Sequence, residues 1–355
     1  MKKKLVEDIA CPGCHSDLAC TIFEEEHQEI LSGVLQCASC RQLFPVIAGI
    51  PCLLLAPSNE MYRDIHEAFY QKFHDRLPQG LPRMLSKKEA FASKKKKATQ
   101  ESFSFEWEIF NKILPVHENE FLDTIFPIER SFFHGKIILD AGCGQGRFSY
   151  LASRYGAKEV YAIDFSHSVG AAYQNTKDLK NVHVIQADIY HLPFRRKFDF
   201  IFSIGVLHHL PHPRAGFKNL IRYLEKDGSI FIWVYGQGAV VRLIQLARLL
   251  TTRIPREVTF VLAHIPASFL ALFNMTYELL DRFSGTKKLA EKIPLKEYTQ
   301  RSFRGKVNTA FDHLATPLAE FYRYNEIYNW FKEEKFNNFW VTDRLGYSWR
   351  AYGKK

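Results

Sequence analysis

Lys136-Ile-Ile-Leu-Asp140-Ala-Gly142-Cys-Gly144-Gln-Gly146-Arg147 reads as a buried strand that ends in an acid and turns, through glycine at every second position, into a helix. Without Cβ atoms, such a turn lets backbone approach a ligand closely at a helix N-terminus. The spacing D-x-G-x-G-x-G differs from the nicotinamide fingerprint G-x-G-x-x-G. Asp140 would repel a pyrophosphate and instead suits a ligand with a cationic or amino-acid portion. Outward from this turn, Glu159–Asp164, Val182–Ala187, Phe198–Ile204 and 229–235 are further short apolar runs, separated by helix-compatible sequence. That alternation predicts βαβ units and a parallel sheet, with Leu345-Gly346 between aromatic runs as a closing hairpin. The second strand ends in Asp164, where a carboxylate can accept both hydroxyls of a ribose. The third ends in Gln186-Ala-Asp188-Ile189, an acid to accept from an exocyclic amine beside a side chain to pack on a purine. Acids at three successive strand ends mark the ligand-binding edge of an α/β sheet.

With Leu139-Asp-Ala-Gly-Cys-Gly-Gln-Gly-Arg147, Ala162-Ile-Asp-Phe165, Gln186-Ala-Asp188, Leu192-Pro-Phe194 and Phe198-Asp-Phe-Ile-Phe-Ser-Ile-Gly-Val-Leu-His-His209, residues 136–235 resemble the class I S-adenosylmethionine-dependent methyltransferases of the ubiquinone/menaquinone C-methylase-like group. The resemblance implies a Rossmann-like seven-stranded sheet whose last strand is antiparallel, and S-adenosyl-L-methionine as cofactor. It implies that Asp140, Gly142, Gly144 and Gly146 line the methionine end. Asp164, with Phe165 in the same motif, would hold the ribose, and Asp188 with Ile189 the adenine. His208 and His209 follow the fourth strand, where that family places acceptor-facing residues, and imidazole accepts a proton near neutral pH. Tyr235, ending the fifth strand, completes the catalytic candidates; Asp312-His313 is a further pocket candidate. An Asn-Pro-Pro-Tyr type motif is absent after the fourth strand, where Ser203-Ile-Gly-Val206 stands.

Residues 1–56 hold six of the seven cysteines. Cys11-Pro-Gly-Cys14 and Cys37-Ala-Ser-Cys40, with 22 residues between them, predict a tetrahedral thiolate cage of zinc-ribbon type, the zinc structural. Together with Phe44-Pro-Val-Ile-Ala-Gly-Ile50-Pro51, this zone resembles the small zinc-ribbon activator subunit that partners tRNA, rRNA and release-factor methyltransferases. Cys20 and Cys52 fall outside the knuckles and read as apolar fillers, and Cys143 as a small packing residue. An odd cysteine count with paired C-x-x-C motifs points to the reducing cytoplasm. Glu7 and Asp8 interrupt the signal-like start, so no export is expected.

At 355 residues, 46% of them apolar and 14% aromatic, the chain has material for one large or two modest domains, and disorder and fibrous classes are excluded. The net charge of +10 would favour a polyanion. Much of it, however, lies in lysine runs at 2–4, 87–88, 94–97 and 354–355, which leaves the body near neutral. Residues 57–103 read as a polar linker with a helical segment. Residues 104–355 form the catalytic domain, with an insertion at about 236–310. There, Val240 to Leu250 is apolar apart from Arg242, Gln245 and Arg248, and Val258 to Tyr277 carries no charge, although His264, Pro266, Ser268, Asn274 and Thr276 dilute it. The expectation is a helical cap that roofs the site with side chains such as Val240, Leu243, Leu246 and Phe269. Such a roof favours a small, apolar or lipid-linked acceptor, with peripheral membrane contact through 240–280 as its rival role. A tRNA or rRNA acceptor, served by the ribbon as a built-in activator, and a non-catalytic S-adenosylmethionine-binding assembly module are the competing readings.

Overall fold

A computed structural model describes residues 1–55, 63–78, 94–238, 241–283, 286, 302–344 and 346–355. The chain begins with a short helix, α1 (Leu5–Asp8), and an antiparallel meander of β1 (Leu18–Glu26), β2 (Glu29–Cys37), β3 (Leu43–Ile47) and β4 (Ile50–Leu53). α2 (Arg63–Lys72) lays Phe69 and Tyr70, with Phe73 just beyond its end, on Phe23, Val34 and Leu43 of the meander. α3 (Lys94–Ile109) and α4 (Val116–Ile125) then lead into β5 (Ile137–Ala141), α5 (Arg147–Arg154), β6 (Glu159–Asp164), α6 (Val169–Thr176), β7 (Val182–Ala187), β8 (Phe198–Ile204), α7 (Pro213–Arg222) and β9 (Leu224–Tyr235). The insertion contributes α8 (Val241–Thr251), α9 (Arg256–Asp281) and α10 (Phe303–Ala315). α11 (Tyr324–Glu333), β10 (Asn338–Arg344) and β11 (Ser348–Lys354) close the chain.

β5 to β9 are parallel, and β11 runs antiparallel between β9 and β10, so the seven strands order as β7-β6-β5-β8-β9-β11-β10. The period-two alternation of the buried strands divides the core between the two faces of the sheet. Leu139, Tyr161, Ile163 and Ile185 face α7 and α11, while Ile138, Val160, Ala162, Val184 and Phe202 face α4, α5 and α6. The meander extends this sheet to eleven strands: Cys52 and Leu53 of β4 pair in parallel with Gln186 and Ala187 of β7. Met1, Leu5, Ile9, Leu35, Phe44 and Leu53 share one core with Leu139, Tyr161 and Phe194.

The stretch expected to be a polar linker with a helical segment holds two helices among its described residues, α2 and α3, and the lysine run from 94 to 97 opens α3. The spacing of Thr99, Ser102, Phe103 and Glu106 puts one stripe against the protein. Because most of that stripe is polar, it resembled solvated chain, yet Ser102 Oγ donates to the Ala315 carbonyl at 3.0 Å and Leu318 N to Thr99 Oγ1 at 3.2 Å. Residues 56–62 and 79–93 of that stretch lie outside the described residues, as do Val240, 284–285 and 287–301 of the insertion. The roof expected of Leu243 and Leu246 is not formed by them: both side chains face outward. The inner face of α8 is used instead by Arg248, whose Nε donates to the His313 carbonyl at 2.6 Å.

Candidate functional site

A cavity of about 100 Å³ lies at the carboxyl ends of β5, β6 and β7. The turn after β5 runs through positive φ at Gly142 (+93°) and Gly144 (+53°). A Cβ on Gly142 would come within 2.2 Å of Val206, and one on Gly144 within 3.1 Å of Trp107. Glycine is therefore required by conformation and by close approach together. Asp164 lines the cavity, its Oδ2 accepting from Gly144 N (2.9 Å) and its Oδ1 from Ser166 N and Oγ (2.8 and 2.7 Å). Asp188 lines it too, its Oδ1 accepting from Tyr190 N at 3.0 Å, and Phe165 and Ile189 supply apolar wall. Gly146, at φ +80°, is the N-cap of α5 and packs on Ala172 without lining the cavity.

Asp140 is placed differently from the expectation. Its carboxyl is turned into the core beneath the glycine turn, accepts from Ser149 Oγ at 2.6 Å and does not line the cavity. Burial pushes it up to about 7. From above, α3 closes the cavity with Gln100, Phe103 and Trp107. Trp107 stacks under the Arg147 guanidinium at 5.2 Å, and Phe103 meets His209 edge-on at 4.9 Å. Phe105 of the same helix instead packs on Phe260 and Phe311. The glycine turn and the two acids on one cavity wall fit the cofactor that the resemblance implied.

Where the turn before β1 meets the β2–β3 connection, the Sγ atoms of Cys11, Cys14, Cys37 and Cys40 all lie within 4.8 Å of one another, with Cys11 to Cys40 at 3.7 Å and Cys14 to Cys37 at 3.4 Å. A tetrahedron of Zn–S bonds near 2.3 Å requires sulfurs about 3.8 Å apart. Each knuckle closes in the same way, with His15 N bonded to the Cys11 carbonyl and Arg41 N to that of Cys37, and both residues are left-handed. The donor set fits a closed structural zinc site.

Residues 139–232 match the methyltransferase domain family, and residues 2–49 match the Trm112p-like protein family. The chain carries an S-adenosylmethionine-dependent methyltransferase domain behind a Trm112p-like zinc-ribbon domain. It is similar to the tRNA U34 carboxymethyltransferase of Aeromonas salmonicida (strain A449), 32% identical over 102 residues, which is 28% of this chain and 31% of that protein. The same enzyme of Ruthia magnifica subsp. Calyptogena magnifica is 36% identical over 101 residues, 27% of this chain and 32% of that one. The chain thus spans about a third of the length of these curated relatives. Among solved structures, it aligns with a DhpI-SAM-HEP complex at TM-score 0.44 and 15% identity, covering 74% of this chain and 99% of that one.

In the methyltransferase domain, a second cavity of about 510 Å³ opens beyond β9, between α8, α9 and α10. Ile244, Phe269, Leu270 and Phe273 give it an apolar wall, and Tyr235 and His313 its polar corner. A buried polar layer stands between the two cavities. His209, which lines the cofactor cavity, donates from Nδ1 to the Leu318 carbonyl at 2.7 Å, so neutral His209 carries its lone pair on Nε2, 3.9 Å from Asp312 Oδ1. The Tyr235 hydroxyl donates to Asp312 Oδ2, and Thr316 Oγ1 to Oδ1 at 3.2 Å. Burial opposes ionisation of Asp312, but His209, His313, Tyr235 and Arg248 outweigh it and hold the carboxyl below its usual range. Burial, joined by Asp312, pushes the Tyr235 phenol well above its usual range, and burial lowers His209. Of the three catalytic candidates, His209 lines the cofactor cavity and Tyr235 the apolar one, while His208 lines neither. His208 is fully buried, 4.0 Å between ring centroids from both His209 and Tyr235, and among the described residues neither ring nitrogen has a hydrogen-bond partner. The sequence reading passed over Glu106, whose carboxyl burial and Asp312 push well up, and Arg248 as a buried residue. Arg248 stands with Arg242 and Gln245 among leucines in α8, and nothing in that pattern tells that Arg248 is buried.

Proposed function

We propose that the protein transfers a methyl group from S-adenosylmethionine to a small apolar or lipid-linked acceptor that carries an O–H, N–H or acidic C–H. The observation that carries this reading is the apolar cavity, which meets the cofactor cavity across His209, Asp312 and Tyr235. When bound, S-adenosylmethionine supplies an electrophilic methyl on a sulfonium sulfur. Asp164 and Asp188 hold the ribose and adenine, and Phe103 and Trp107 exclude water from the reacting end. His209, neutral because burial lowers its basicity, takes the acceptor's proton on Nε2. Asp312 then faces the imidazolium, and Tyr235 and Thr316 fix the carboxylate for that task. His208, packed behind His209, orients the ring.

A tRNA or rRNA acceptor draws on the Trm112p-like domain and on the tRNA U34 relatives. Among the described residues, however, the surface beside the site presents leucine and phenylalanine, whereas a polynucleotide requires an open basic groove with stacking aromatics. Incubation with methyl-labelled S-adenosylmethionine, in the presence of bulk tRNA and of a total lipid extract, tests the choice. Label is expected in the organic phase and to be lost with His209→Ala; label in the tRNA, with none in the organic phase, would overturn the proposal.

A further inference from the structure

α8 is built inside out. Arg248 is buried while Leu243, Leu246, Leu249 and Leu250 are 57–71% exposed. α9 continues the same surface. Of its 26 residues only Thr259, Ala263, Ala267 and Asn274 are buried, a stripe of mostly small side chains that packs on Val307, Ala310 and Phe311 of α10. Around the rest of the helix, Val261, Ile265, Leu272, Met275 and Leu279 stand in the open. So broad an exposed apolar face is unlike the scattered apolar residues of an ordinary surface.

Charge identifies what covers it. No Asp, Glu, Lys or Arg falls between Glu257 and Glu278, whereas residues 253–306 as a whole hold ten Lys and Arg against five Asp and Glu. An uncharged run set in a net-basic stretch of sequence, of which Arg253, Arg282 and Arg304 are exposed among the described residues, matches an anionic bilayer whose acyl chains take up the leucines. A second copy of the chain would bring the same net-basic stretch against itself. Packing decides the orientation. α9 is fixed lengthwise on α10, which carries Lys306 and Asp312 and abuts the polar layer, so upright insertion of α9 would draw those groups into hydrocarbon.

We propose that α8 and α9 form a monotopic docking surface that lies in the plane of an anionic membrane leaflet. Phe269 both lines the apolar cavity and is 61% exposed, so the cavity reaches the docked face and its ligand enters from the lipid. The entry route rests on the proposed apolar acceptor; the docking does not.

Flotation of the full chain with vesicles tests the docking in the absence of any acceptor. Binding is expected to phosphatidylcholine vesicles containing a quarter phosphatidylglycerol, weaker to pure phosphatidylcholine, and reduced by roughly tenfold or more in the Leu246→Glu, Ile265→Glu double variant. Both side chains are exposed and outside the cavities, and unchanged affinity for S-adenosylhomocysteine would certify that variant as folded. Failure to float with either vesicle, or equal binding to both, overturns the inference. So does a dimer in light scattering that the double variant dissociates. Any of these leaves the acceptor reading standing, whereas label in tRNA with intact vesicle binding would remove that reading and keep the docking.

Discussion

The Tyr235 hydroxyl donates to Asp312 Oδ2 and so fastens the end of β9 to helix α10 of the insertion, joining the sheet to the element that walls the second cavity. Tyr235 lies outside the cofactor cavity. Tyr235→Phe should therefore lower methyl transfer, by roughly tenfold or more, while affinity for S-adenosylhomocysteine in calorimetry stays within about twofold. A matching loss of affinity would show that the tyrosine serves the cofactor instead.

Asp164 holds the glycine turn through Gly144 N as well as facing the cavity. Asp164→Ala removes charge-assisted bonds worth about 1.5–3 kcal/mol, so S-adenosylhomocysteine should bind one to two decades more weakly. Calorimetry with unchanged affinity would exclude this placement.

Protein purified without added zinc should contain about one equivalent per chain, held by Cys11, Cys14, Cys37 and Cys40. Cys40→Ser, or exhaustive chelation, should lower both the metal content and the melting temperature, because metal binding at such a site is folding free energy. Folded, active protein with less than a tenth of an equivalent would end the claim.

The buried carboxyl of Asp140, raised to about 7, makes a stability prediction with a definite sign. Between the unfolded value near 3.8 and about 7, the folded state holds a proton that the unfolded chain has lost, so stability falls as pH rises through that window. Asp140→Asn keeps an acceptor for Ser149 and removes the titration. Relative to wild type, the variant should gain stability between pH 4 and pH 8, on the order of 2–4 kcal/mol. Thermal melts whose difference does not vary over that range would show that the site relaxes around the charge.

What the sequence made legible was set by local chemistry. The D-x-G-x-G-x-G turn and the strand-end acids are short-range signals, and Asp164 and Asp188 line the same cavity. The two knuckles, likewise, needed only their spacing. Asp140 escaped the reading because a strand residue's face depends on the last residue or two of the strand, and here the carboxyl meets Ser149 of α5. α3 escaped it because the partners of Thr99, Ser102 and Glu106 lie some 200 residues away, and a polar stripe that meets buried polar groups has the composition of solvated chain. The Asp312 layer is likewise assembled from β9, α10 and the turn after β8, three segments that no periodicity connects.

The pairing of β4 with β7 also governs what happens at the rim of the sheet. All six residues of β7 are buried, and β4 pairs with the last two of them, Gln186 and Ala187, whose backbone would otherwise lie at an open, apolar edge. Such an edge templates pairing with other chains. A chain cut back to the methyltransferase domain is therefore expected to aggregate more readily than the full chain, in which β4 caps that end of the sheet.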